Sequence, residues 1–231
     1  MEMLKLSVGE PFSSPAFNSN FVVFSDLSCP YIPEEQTRKY LAACCRYARQ
    51  YHIHLVPHRF VLQNFLCMCL ISPDGRVLGA QRACYVNLLD DTDFERGTDI
   101  SSLDTVFGPL FLCVDVDIYH PLVCEAASRL GAKIIISSQF IRLQQYGSHM
   151  VINGAWNVAQ TNHVFVVSVT NHASAVCIPA AISQEKDGFF VPPSGKFPFT
   201  AALDISQLNT VRSKPFLGNT LLHVHMEQLL E

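Results

Sequence analysis

Five short, largely apolar runs limit what this chain can become: FVVF (21–24), FLCMCLI (65–71), PLFLCVD (109–115), KIIIS (133–137) and HVFVVSV (163–169). A strand facing water on one side alternates apolar with polar residues, whereas a strand covered on both faces reads as a continuous apolar run. These segments therefore predict strands sandwiched between other layers. Helical patterns separate some of them. Pro33-Glu34-Glu35 opens a helix that runs to about Tyr51, with acids in the first turn and Leu41, Cys44, Cys45 and Ala48 at helical spacing. His120-Pro121 opens a second, with Leu122, Ala126 and Leu130 as its expected inner face and Gly131 as its cap. A third ends over Trp156–Asn162. Pro73-Asp74-Gly75 is a turn, RVLGAQRACYV (76–86) a strand, GFFVPPSG (188–195) a hairpin and TAALDI (200–205) a last strand. The order of elements predicts an α/β layered domain.

Composition removes several function classes. The chain has 231 residues, 49% hydrophobic and 16% charged, which is the reverse of the disordered signature and enough for one large core. None of the apolar runs approaches the roughly 20 residues of a membrane helix. Charges at Glu2, Lys5 and Glu10 argue against a signal-peptide core over Met1–Glu10. Sixteen basic residues against twenty acidic ones, with no basic run longer than two, argue against a nucleic-acid partner. Nine cysteines, an odd number without a C-x-x-C pair, predict reduced core thiols in a cytoplasmic setting and no zinc motif.

Six segments in one order resemble the nitrilase superfamily of carbon–nitrogen hydrolases, over roughly residues 20–215. They are FVVFSDLSCPY, PDGRVLGAQRA, FGPLFLCVDVDIYHP with the following helix to LGAKIII, AQTNHVFVVSVTN, GFFVPPSG and AALDISQLNTVR. The resemblance implies a four-layer α-β-β-α sandwich in a single domain spanning 1–231, with a C-terminal tail over 213–231. It also implies a homodimer or higher homo-oligomer, stacked into eight layers. Only about twenty residues precede FVVF, so the first helix usual in that family is expected to be missing, leaving one outer face thinly covered.

Enzymes of that family use a Glu base, a Lys beside the developing oxyanion and a Cys nucleophile. The Glu position falls on Asp26, whose carboxylate is one methylene shorter. The Lys position falls on Ala83, with Arg82 pointing to the opposite side of the strand. Counting seven residues on from Gly108, or six back from Pro121, places Asp115 at the nucleophile position. Asp117 then takes the following acidic position. Cys113 is the alternative nucleophile; it needs compensating gaps, and two-residue periodicity predicts that it shares a strand face with Asp115. Losing one oxyanion-stabilising group alone costs about 10²–10³ in rate. If Asp26 and Asp115 face each other without the lysine, one carboxyl should be raised in pKa or the pair should recruit a cation.

The expected function is therefore a catalytically degenerate subunit with a scaffold or binding role, without a cofactor, possible mixed oligomers with an active relative included. The alternative is a divergent amide or nitrile hydrolase using Cys113 or an Asp26/Asp115 pair. Asp115 and Asp117 are expected to be simply hydrogen-bonded at a strand end, with a metal site from Asp26, Asp115 and His120 as the alternative. Asp90, Asp91, Asp93 and Glu95 read as a solvated loop. His52, His54, His223 and His225 read as packing or surface residues, and Trp156 as packing under the pocket or at an oligomer surface.

Overall fold

Two stacked sheets satisfy the burial that the apolar runs demand. A computed structural model of the chain describes residues 3–25, 29–86, 93–141, 148–196 and 198–212. The larger sheet contains β1 (Leu4–Gly9), β2 (Phe21–Phe24), β3 (His54–Val56), β4 (Phe60–Leu62), β5 (Phe65–Ile71), β6 (Val77–Arg82) and β12 (Phe199–Leu203). Its order is β12-β1-β2-β3-β5-β4, with β6 also paired to β5. The smaller sheet holds β7 (Leu110–Val114), β8 (Ile134–Gln139), β9 (Phe165–Thr170), β10 (Ser174–Cys177) and β11 (Phe189–Ser194), in the order β11-β10-β9-β8-β7. Strands β7, β8 and β9 run parallel.

Leu6, Phe21, Val23, Leu112, Val114, Ile136 and Val167 fill the space between the sheets. On the outer face of the larger sheet, Phe24, Leu55 and Cys69 pack under α1 (Glu34–Tyr51). On the outer face of the smaller sheet, Phe111, Cys113 and Ile135 pack under α2 (Pro121–Arg129) and the helical segment 148–162. That segment is α3 (Ser148–Val151), a π turn (Ile152–Trp156) and α4 (Asn157–Asn162). A short α5 (Leu208–Arg212) follows β12. The four-layer α-β-β-α sandwich is thus the observed architecture.

No helix lies between β1 and β2; residues 10–20 run in turns. These turns cover the exposed shoulder instead. Phe12 meets Phe24, Tyr40 and Tyr47 edge-on at 5.3, 6.0 and 5.9 Å, and the Tyr47 hydroxyl donates to the Ser13 carbonyl at 2.7 Å.

Two local expectations are corrected. GFFVPPSG is a single edge strand, β11, rather than a hairpin: Pro192 and Pro193 lack N–H donors but sit where β10 is the strand's partner and its register shifts. Helix α2 buries Val123, Cys124 and Ala127, while Leu122 is 71% and Leu130 57% exposed. One residue of rotation, about 100°, moves the inner face onto the smaller side chains, because the helix packs closely on β7 and α4. Gly131 follows the helix at φ +96°, a left-handed position that suits its lack of a Cβ. All nine cysteines are free, and no helix among the described residues is long and apolar enough to cross a membrane.

Candidate functional site

Strand β7 stops one residue before the acidic pair. At Asp115 the backbone turns to φ +50°, and a 3₁₀ turn runs over Asp115–Tyr119. A left-handed conformation at a residue with a Cβ costs of order 1–2 kcal/mol, so surrounding contacts must hold it. Asp115 is 6% exposed, and its Oδ1 accepts the Phe140 N–H at 3.0 Å and forms an ion pair with Arg59. Arg59 is 1% exposed and arrives from the other sheet, at the end of the β3–β4 connection. The turned backbone therefore aims the Asp115 carboxylate across the layers.

Cys113 points elsewhere. Its sulfur packs under α2, 3.9 Å from Cys124 Sγ, and burial pushes its thiol well above the ordinary range. The expected shared face with Asp115 does not hold. Strand periodicity ends at Val114, and the left-handed residue reverses the direction of the next side chain.

Asp117 is fully buried and accepts the Cys84 and Tyr85 N–H groups at 3.0 and 2.8 Å. Burial pushes its carboxyl up to about 7 against the pull of those donors, and the nearby Asp115 charge adds to the rise. His120 stacks flat on Tyr85, with ring centroids 3.5 Å apart, and its pKa is lowered by burial and then by Arg96. The Tyr119 hydroxyl donates to Gln139 Oε1 at 2.6 Å, and Gln139 Nε2 donates to Ser137 and Ser168.

Ala83 is buried at the end of β6; its N–H donates to the Leu66 carbonyl and its own carbonyl accepts the Gly97 N–H. Arg82 turns outward and lies over the Phe65 ring at 4.2 Å. A cavity of about 380 Å³, lined by Leu62, Cys67, Gln81, Arg82 and Asp99 among others, opens beside β6. Asp115, Asp117 and His120 do not line it.

Asp26, Asp90, Asp91, His223 and His225 lie outside the described residues. Among the described residues, no three His, Cys, Asp or Glu side chains are grouped to hold a metal ion. His54 packs flat on Phe21, and Trp156 Nε1 donates to the Asp187 carbonyl at 2.7 Å, tying the π turn to the β10–β11 connection.

Arg59 escaped the sequence reading, which found no cation for this site. A lone arginine between two strands matches no motif. Its signal was physical: VPHRFVL places one permanent charge among apolar strand residues, and a buried charge requires a partner.

No family model matches the chain, and no curated protein matches it. Solved structures do. Nit3 of Saccharomyces cerevisiae, of the nitrilase superfamily, is 17% identical over 91% of this chain and 93% of its own, with a TM-score of 0.72. A carbon–nitrogen hydrolase of Helicobacter pylori is 14% identical over 91% and 92%, with a TM-score of 0.74. A mutant of an amidase from Nesterenkonia, 14% identical over 89% and 92% with a TM-score of 0.68, carries the acetamide moiety of fluoroacetamide covalently added at its active-site cysteine. The chain has the nitrilase fold.

Proposed function

We propose that this nitrilase-fold chain is a catalytically degenerate subunit that serves as a scaffold or binding partner rather than as a hydrolase. The observation that carries the reading is the Arg59–Asp115 ion pair at the turn after β7. A family nucleophile needs a thiolate free to attack and a cation free to receive the oxyanion. Here the residue assigned to the nucleophile position is a carboxylate, and its charge is already neutralised by a buried guanidinium. The thiol two residues before it, Cys113, is packed under α2, and burial pushes its pKa well above the ordinary thiol range. Ala83 supplies no cation at the lysine position.

Such a subunit acts through its surfaces. Leu122 and Leu130 lie exposed on the outer helix layer, which supports homo-oligomer formation through α2, with a mixed oligomer alongside an active relative as the variant of the same reading. The direct test incubates the purified chain with acetamide, longer aliphatic amides and simple nitriles. No turnover is expected. Hydrolysis at an enzyme-like rate that disappears in Asp115→Ala overturns the proposal.

A further inference from the structure

Strand β6 pairs only with β5, and the cavity of about 380 Å³ opens along it. One side of the cavity is formed by Leu62, Cys67, Ala80 and Arg82, and the other by the segment that carries Gly97 and Asp99. A buried amide ties the two sides together. Gln81, 4% exposed, donates from Nε2 to the Asp99 carbonyl at 2.7 Å and to the Arg82 carbonyl at 2.9 Å, and its Oε1 accepts the Ser101 N–H at 3.3 Å. The Gly97 N–H donates to the Ala83 carbonyl at 2.7 Å, and a Cβ at Gly97 would lie 2.7 Å from Arg82 Cβ. These bonds pre-form the cavity, so a ligand does not have to order its walls.

Two opposite charges line this space without meeting. Arg82 lies over the Phe65 ring at 4.2 Å, and neither Arg82 nor Asp99 forms an ion pair among the described residues. A guanidinium resting on a ring keeps its in-plane N–H donors available for a carboxylate. The rest of the lining named above is apolar: Leu62 and Ala80 are exposed, and Cys67 is neutral, its thiol pushed up to about 11 by burial. A separated cation and anion beside an apolar patch complement a ligand that carries both charges and an apolar body. At about 30 Å³ per water-sized group, the volume holds about a dozen non-hydrogen atoms.

We propose that this cavity is a binding site for a free amino acid with an apolar side chain. Arg82 receives the carboxylate, Asp99 the ammonium group, and Leu62, Cys67 and Ala80 the side chain. Asp115, Asp117 and His120 do not line the cavity, so the site is independent of any chemistry at the turn after β7.

The experiment titrates the full chain with L-phenylalanine, which matches the cavity in size, in a calorimeter at neutral pH. A Kd of about 1 mM or tighter is expected. Phenylpropanoate, which lacks the ammonium group, and phenethylamine, which lacks the carboxylate, should each bind about tenfold or more weakly. Arg82→Gln and Asp99→Asn change exposed side chains and should each weaken phenylalanine by about tenfold or more. Arg82→Gln should leave phenethylamine unchanged, since that ligand brings no carboxylate. Ala80→Phe, which fills the cavity, should abolish binding. No heat of binding up to about 10 mM phenylalanine overturns the proposal, as does an affinity unchanged in Arg82→Gln or in Ala80→Phe. Should a variant fail to fold, the native chain decides: phenylpropanoate or phenethylamine binding as tightly as phenylalanine refutes the site.

Discussion

Arg59→Met keeps most of the length and bulk of the side chain and removes the guanidinium. Asp115, 6% exposed, then loses its buried cation and retains the Phe140 N–H. Removing one partner of a buried ion pair typically costs about 3–5 kcal/mol, because the remaining charge is left in a poor solvent. Asp115 can relieve part of that cost by taking up a proton. Deprived of the guanidinium, the buried carboxyl titrates above its usual range, because burial disfavours its charged form. A folded-state pKa raised above the unfolded value gives stability that is fully present below about pH 4 and lost as pH rises through the folded pKa. The gap between native and variant should therefore be about 3–5 kcal/mol near pH 8 and shrink toward pH 4, by up to about 1.4 kcal/mol per pH unit. Asp117 titrates in both proteins, so its contribution cancels in the difference, apart from its coupling to Asp115. Urea unfolding followed by the fluorescence of Trp156, the one tryptophan, measures the gap across the pH series. Arg59→Met with Asp115→Leu should recover most of the loss, since replacing both charges by apolar groups is often neutral. A single variant within about 1 kcal/mol of native at pH 7, or a gap independent of pH, would refute the claim that this pair is buried and coupled.

Asp117→Asn tests the neighbouring carboxyl. With Asp117 pushed up to about 7, the native chain should lose about 4 kcal/mol of stability between pH 4 and pH 7, and the variant should lose that slope; parallel native and variant profiles in urea unfolding would count against it. Gly154→Ala adds a methyl 2.8 Å from Tyr119 Cε1 at the π turn and should destabilise by about 1–3 kcal/mol, read as a lowered urea midpoint with unchanged m. Leu122→Glu with Leu130→Glu should convert an oligomer to monomer in light scattering without lowering the stability of the monomer. A complex of unchanged mass would move the interface away from α2.

What could be read along the chain was whatever depends on neighbours in sequence. Continuous apolar runs demand burial on both faces, so FLCMCLI, PLFLCVD and HVFVVSV implied sandwiched strands before any partner was known. Proline at the first helical position marked the start of α2, and fixed spacing from Gly108 and Pro121 brought the reading to Asp115, the residue at the turn. Short elements with mixed composition were lost: β4 and β10 are too brief to show a period, and Pro192-Pro193 disguised an edge strand as a turn.

Tertiary structure decided the rest, because it depends on contacts that no local period encodes. Val123, Cys124 and Ala127 became the inner face of α2 through the fit against β7 and α4, although Leu122 and Leu130 are the more apolar choice. A single left-handed residue at the end of β7 separated Cys113 from Asp115 and sent them toward different layers. The charge balance of the site came from Arg59, 56 residues earlier in the chain and on the opposite sheet. The chain itself determined which segments must be buried. Only the stacking of the two sheets determined which charge meets Asp115 there, since a buried ion pair is set by distance in space and not by separation in sequence.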